Sequence, residues 1–206
     1  MAVIAGYEAS LWIVETDQTP VALTSEAMEP IDLDRKVWRV TARTKRWLNP
    51  VIATTVKVDG IAVTPAAIIH AGGFVRFHTS VPAGGVVTID GEYFTAANKL
   101  VAGKQWSLDI QADELDVTSW DSGSWREFMT VIKGATASFD KWWCDEFFAL
   151  YIKNTTMIGL ELRANDNKRY YCYGNVTSDS INVVSDGAIE ESISVRVTGP
   201  VEYAEE

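Results

Sequence analysis

Residues 106–139 limit the fold more than any other stretch, because two hydrophobic periods meet there. Trp106, Leu108, Ile110 and Ala112 alternate with Ser107, Asp109, Gln111 and Asp113, the two-residue period of a strand with one buried and one wet face. After Asp116-Val117-Thr118 the period changes. Ser124-Trp125-Arg126-Glu127 has the Ser-x-x-Glu spacing of a capping box, and Trp125, Phe128, Met129 and Ile132 fall at i, i+3, i+4 and i+7. This predicts a short helix with Ser124 and Glu127 closing its first turn, Trp125 and Phe128 buried against a sheet, and Gly134 as its left-handed C-terminal cap. Ala135, Ala137 and Phe139 then return to alternation, so the expectation is strand, helix, strand.

Elsewhere the chain reads as a meander of short strands. Tyr7, Ala9, Leu11 and Ile13 alternate, as do Trp38, Val40 and Ala42. Between them, residues 15–36 hold two prolines and many acidic residues with no sustained period, which predicts a long contact loop. Asp59-Gly60 between two apolar runs predicts a tight hairpin. Ile68-Ile69-His70, Gly72-Gly73 and Phe74–His78 repeat the pattern, and residues 50–95 read as a hairpin-rich module. Asp140 is placed to start a second helix with Trp143, Phe147, Leu150 and Tyr151 on one stripe. Ile158, Leu160 and Leu162 open a hairpin that turns at Asn165-Asp166-Asn167 and returns to Val176. Ile193, Val195 and Val197 alternate up to Gly199-Pro200, and residues 202–206 read as a solvated acidic tail. The fold class is therefore mainly β, a sandwich or barrel with one or two short flanking α-helices, in a single domain over residues 1–206.

Composition removes several functions. Of the 206 residues, 47% are hydrophobic, enough for a substantial core, yet no apolar run approaches the roughly 20 residues of a membrane span. The start of the chain lacks the basic segment of a secretory signal, so synthesis in a cytoplasm is expected. A net charge of −10 argues against gripping nucleic acid by its phosphates, although an acidic wall lets DNA pass without holding it. Cys144 and Cys172 are too few and too distant for a disulfide framework or a Cys-x-x-Cys metal site. His70 and His78 lack the spacing of a metal motif. Asp109 and Asp113 are about 13 Å apart along a strand, beyond glycosidase carboxylate spacings, which leaves a solvated or channel-facing role ahead of catalysis. Eight tryptophans invite a carbohydrate-binding reading, but most sit on apolar faces. Trp47, beside Arg43, Lys45 and Arg46, is expected to be exposed and to contact an acidic neighbour. The chain is read as non-enzymatic, with no cofactor and no metal.

The strand at 106–116, the Thr-Ser-aromatic-x-Ser-Gly-x-Trp-Arg-Glu-aromatic segment, the Ala-Ser-Phe strand and the ending up to Gly199-Pro200 resemble major tail tube proteins of long-tailed bacteriophages. The resemblance runs from Val101 to Tyr203 and more loosely from Trp38 to Tyr93. It implies hexameric rings stacked around a tape-measure protein, four strands of each subunit completing an inner β-barrel, and contacts with tail terminator and baseplate or tail-tip proteins. It also implies a virion location, synthesis in a bacterial host cytoplasm and passage of DNA without specific binding. On this reading Asp109, Asp113 and Asp116 are candidates to face the lumen. Thr19, Glu26, Glu29, Asp32, Arg46 and Trp47 are candidates for contact with the next ring. The alternative is a carbohydrate- or receptor-binding β-sandwich module of a virion or secreted protein.

Overall fold

The computed structural model describes residues 8–205 apart from Ala96, Ser124 and Asp186. β1 (Ser10–Glu15) begins one sheet. β2 (Val21–Pro30), β3 (Val37–Val40), β4 (Thr55–Val58), β5 (Ile61–Val63), β6 (Ala67–Ile69), β7 (Phe74–Arg76) and β8 (Val87–Tyr93) build a second. The chain then returns to the first sheet with β9 (Asn98–Lys99), β10 (Gly103–Asp116), β11 (Phe128–Trp142), the helix α1 (Phe147–Asn154), β12 (Met157–Arg163), β13 (Lys168–Asn182) and β14 (Glu190–Glu205). The first sheet runs β10-β11-β14-β13-β12-β1-β9 and curls into a half-barrel; the second runs β5-β4-β8-β2-β3-β7-β6. All pairings are antiparallel, as a meander requires.

The half-barrel closes over Leu11, Ile13, Phe139, Leu160, Ile193 and Val195, and α1 seals it with Phe148 and Tyr151. Phe148 meets Phe139 edge-on at 5.3 Å, a favoured aromatic geometry. The helix is short and is held by its ends. Asp145 accepts from Phe147 N–H at 3.2 Å, and Thr155 closes the C-terminus in the left-handed region. The second sheet wraps Leu23, Trp38, Val40, Leu48, Val87 and Ile89. A third cluster joins the two sheets, with Trp47 packed on Tyr171 and Tyr173 and the Tyr173 hydroxyl donating to Leu48 O at 2.9 Å. Gly159 permits this approach, since a Cβ there would lie 2.8 Å from the Trp47 ring. Asp59 and Gly60, both at positive φ, make the expected hairpin turn between β4 and β5.

Several expectations are overturned. Residues 128–142 form β11 and no helix. Met129 lies opposite Leu115 and Phe128 opposite Asp116 in a ladder with β10. Thr130, Val131 and Ile132 are β-branched, which disfavours a helix, and the stripe at 125, 128, 129 and 132 is exposed because no core surface lies across from it. Ser124 lies outside the described residues. The cap in this region belongs to Ser119, which accepts from Asp121 N–H ahead of a single 3-10 turn. The predicted contact loop contains β2, paired to β8 and β3. Its prolines sit at or beyond the strand ends, and only Leu23 and Met28 are buried, so it shows no period. The helix expected from Asp140 starts at Phe147, because Asp140–Trp142 complete β11. β14 runs through Gly199-Pro200 by way of a register shift. Within the supposed tail, Glu202 is buried and paired to Arg76 at 2.6 Å. Tyr7 and Glu206 lie outside the described residues.

Candidate assembly surfaces

β10, β11, β14 and β13 are the four longest strands, and their register stacks side chains in rows. Gln105, Asp140, Ser192 and Ser180 form one row, Ser107, Ser138, Ser194 and Ser178 the next, and Asp109, Thr136, Arg196 and Asn175 a third. The other face of the same strands carries Leu108, Ala137, Val195 and Val176 into the core. One face of the sheet is therefore apolar and covered, and the other is a field of small hydroxyls with few charges. Neighbouring hydroxyls satisfy one another, as with Ser107 and Ser138 at 2.7 Å. Hydrogen bonds from Ser192 and Gln105 hold the Asp140 carboxyl below its usual range.

Both sides of this four-strand unit are open. β10 ends the sheet order along its full length. β13 pairs with β12 only as far as Asn175, so Val176–Asn182 has a ladder to β14 on one side and none among the described residues on the other. Such edges are templates for another strand. At one end β11 leaves β14 beyond Thr136 but stays paired with β10 to Phe128. The result is a two-stranded ribbon about 23 Å long at ~3.3 Å per residue. It exposes Leu115, Val117, Trp125, Phe128, Met129 and Ile132. The opposite end, where β10 begins and β11 and β13 finish, exposes Val101, Trp142, Trp143, Ile181, Val183 and Val184.

The residues singled out in the sequence fall in different places. Asp109 lies in the hydroxyl-rich face. Asp113 sits at the register shift between Ala112 and Glu114. Asp116 has the opposite parity near the ribbon tip, where hydrogen bonds from Thr118 lower its pKa. The three carboxylates are thus not one cluster. Trp125 and Phe128 stand exposed on the ribbon, and Glu127 donates its N–H to Thr118 Oγ1 across the tip. Thr19 is exposed just before β2. Glu26 pairs with Lys45 at 2.5 Å and Glu29 with Arg46 at 3.3 Å, while Asp32 accepts from the N–H groups of Lys36 and Val37. Trp47 is only 2% exposed, which overturns its expected surface role. Arg46 is buried too, donating to Val40 O and Thr41 O, and burial depresses its pKa to about 10. Trp47 joins the two sheets of one chain through Tyr171 and Tyr173, while Arg46 holds the backbone of the second sheet. The serine rows were visible in the sequence only as alternation, because their strand order, not their spacing, brings them together.

A cleft of about 560 Å³ between β1 and the start of β10 is lined by Leu11, Leu100, Trp106, Lys99 and Lys104, with no histidine, cysteine or carboxylate. Among the described residues no group of three His, Cys, Asp or Glu side chains could hold a metal ion. Among the described residues no helix is long and apolar enough to cross a membrane.

No family model matches the sequence, and no curated protein matches it. Solved structures similar to about half of the chain include the tail of an empty gene transfer agent particle, refined with C6 symmetry. It is 16% identical, with 52% of this chain and 86% of that one covered at a TM-score of 0.47. A chain of the native gene transfer agent virion matches at 16% identity over 52% of this chain and 88% of its own, with a TM-score of 0.47. The SPP1 tail tube matches at 16% over 54% and 69%, with a TM-score of 0.42.

Proposed function

We propose that the chain is a structural subunit whose copies close into rings and stack as a tube, the tail tube of a phage-like particle, through which DNA passes. One observation carries this reading: a four-strand unit with an apolar covered face, a hydroxyl-rich open face and an unpaired edge on each side. Pairing about half of β10 of one copy with Val176–Asn182 of the next would satisfy the whole of the shorter edge. The two edges differ, so the contact is head-to-tail and closes when the rotation per copy divides a full turn. The hydroxyl-rich faces then turn inward. Barrels of about 16–18 strands already hold an aqueous channel. Six copies, the number the sequence resemblance implies, would give a backbone diameter of about 48 Å for strands ~4.8 Å apart tilted by ~40°. Small hydroxyls offer a phosphate backbone few cationic holds, and Asp109 and Asp140 outnumber Arg196 there, so a polyanion slides without sticking.

Stacking follows from the two ends. Among the described residues the ribbon has no sheet neighbour, and an isolated two-stranded ribbon is marginal in water. Its apolar side chains meet the apolar opposite end of the copy in the next ring. The ribbon takes the arm role that the sequence placed in residues 15–36. The function is mechanical, with no catalysis. A tape-measure protein in the lumen and terminator and tip proteins at the tube ends are the partners this role calls for, with the virion as its location.

The test is negative-stain microscopy of the concentrated purified chain beside a variant in which residues 117–127 are replaced by a short turn. Rings and tubes with a central channel are expected from the parent, and unstacked rings from the variant. A monodisperse monomer at high concentration by sedimentation, with no particles on the grid, would overturn the reading.

A further inference from the structure

On the core side of the same four strands, Lys141 of β11 lies directly opposite Glu191 of β14. Their side chains are 2% and 1% exposed, with Nζ 3.1 Å from Oε2. The two groups are within hydrogen-bonding distance but poorly aligned, and no well-aligned hydrogen bond reaches either Glu191 oxygen among the described residues. Asp179 of β13 lies within reach of Glu191, and its own Oδ1 is buried without a partner. Lys141 Nζ also stands 5.1 Å from the Phe148 ring centroid and 3.5 Å from both Cys144 Sγ and Asp145 Oδ1. A buried pair so poorly aligned contributes little to stability. Two carboxyl groups and one amine held together in a dry site are, however, equipped for another reaction.

We propose that this site closes an intramolecular isopeptide bond between Lys141 Nζ and Glu191 Cδ, with Asp179 as the proton acceptor. Burial raises the Glu191 pKa and the neighbouring Asp179 adds to it, which favours the neutral acid as electrophile. Burial pulls the Lys141 pKa down, but Glu191 and Asp145 together outweigh it and the net shift is upward. The amine therefore needs a base, and the Asp179 carboxylate, which stands against Glu191, takes the proton by way of the Glu191 carboxyl. Glu191 carboxylic acid, Lys141 ammonium and Asp179 carboxylate give the amide, one water and Asp179 carboxylic acid. The C–N bond forms and the C–OH bond breaks. One ammonium proton passes to Asp179 and a second leaves with the hydroxyl as water. Neither an oxidant nor an activated donor is required. Fixed proximity replaces encounter, and exclusion of water disfavours the reverse hydrolysis. A cleft of about 150 Å³ lined by Lys141, Cys144, Asp145 and Phe148 gives the released water a way out. The bond would tie β11 to β14 covalently.

Intact-mass spectrometry of the purified full chain tests this. The parent should be lighter than its sequence mass by one water, and its digest should contain a branched peptide joining the segments around Lys141 and Glu191. Lys141→Arg keeps the charge and should show the full mass. Asp179→Asn leaves the amine and the acid in place and should also show the full mass while folding normally by circular dichroism. A folded parent at full sequence mass would overturn the proposal, and an Asp179→Asn chain still lacking one water would overturn the role given to Asp179. Mass is read on the dissolved subunit, so either failure leaves the tube reading untouched.

Discussion

Trp125 separates a residue that holds the subunit together from one that holds subunits to each other. It is 81% exposed at the ribbon tip. A tryptophan buries about 150–250 Å² when fully covered. Covering the exposed four-fifths in a ring-to-ring contact therefore removes about 120–200 Å², which is about 3–5 kcal/mol at ~25 cal/mol per Å². At ~1.4 kcal/mol per tenfold, Trp125→Ala should weaken stacking by about two to three and a half orders of magnitude. Within the subunit the side chain covers little, so folding stability should change by no more than about 0.5 kcal/mol. For a chain of this length that corresponds to a melting shift of about 1–2 °C. Two measurements decide the matter: calorimetry on dilute subunit, and the onset concentration of pelletable filaments. The expected result is an unchanged melting temperature and a filament onset raised at least a hundredfold. A melting temperature lowered by many degrees, or an unchanged onset, would refute the reasoning.

Phe148→Ala should act in the opposite sense: the ring is 0% exposed against Phe139 and Phe147, so about 3–5 kcal/mol of folding stability is lost, read as a lower denaturant midpoint at unchanged slope. Cys172 is buried, with its thiol pushed up to about 12, while Cys144 is exposed. A maleimide at pH 8 should therefore label one thiol per folded chain and two after denaturation, and two in the native state would contradict the packing. Asp140 has a folded pKa below its ordinary 3.8, so its contribution is present above that value and lost as pH falls through the folded pKa. Asp140→Asn should flatten the stability profile below about pH 4, and an unchanged acid limb would show that its hydrogen bonds to Ser192 and Gln105 do not hold the charge.

Local rules sufficed wherever a segment's own neighbours decide its conformation. The Asp59-Gly60 hairpin, the β12–β13 hairpin around Asn165, the alternation of β10 as far as Leu108 and the Phe147–Tyr151 part of the α1 stripe were legible because turn chemistry and side-chain period are properties of a few adjacent residues; Ile110 and Leu150, expected on apolar faces, are exposed, and Trp143 precedes the helix. The sequence by itself therefore determined a mainly β chain with little helix. Residues 124–134 misled because the i, i+3, i+4, i+7 spacing reports a helix only if something apolar lies across from it. Here the partner supplied was the backbone ladder of β10, and the stripe faces solvent. β2 was missed for the converse reason, since its ladder to β3 and β8 carries it while only Leu23 and Met28 are buried. Trp47 was assigned to the surface from its basic neighbours, yet Tyr171 and Tyr173 arrive from more than a hundred residues away to enclose it. The sequence cannot state strand order, and strand order alone assembles Ser107, Ser138, Ser194 and Ser178 into one row, leaves β10 and the end of β13 unpaired, and sets Lys141 against Glu191. Those features depend on pairings between distant segments, whose energies are settled only when the whole sheet closes.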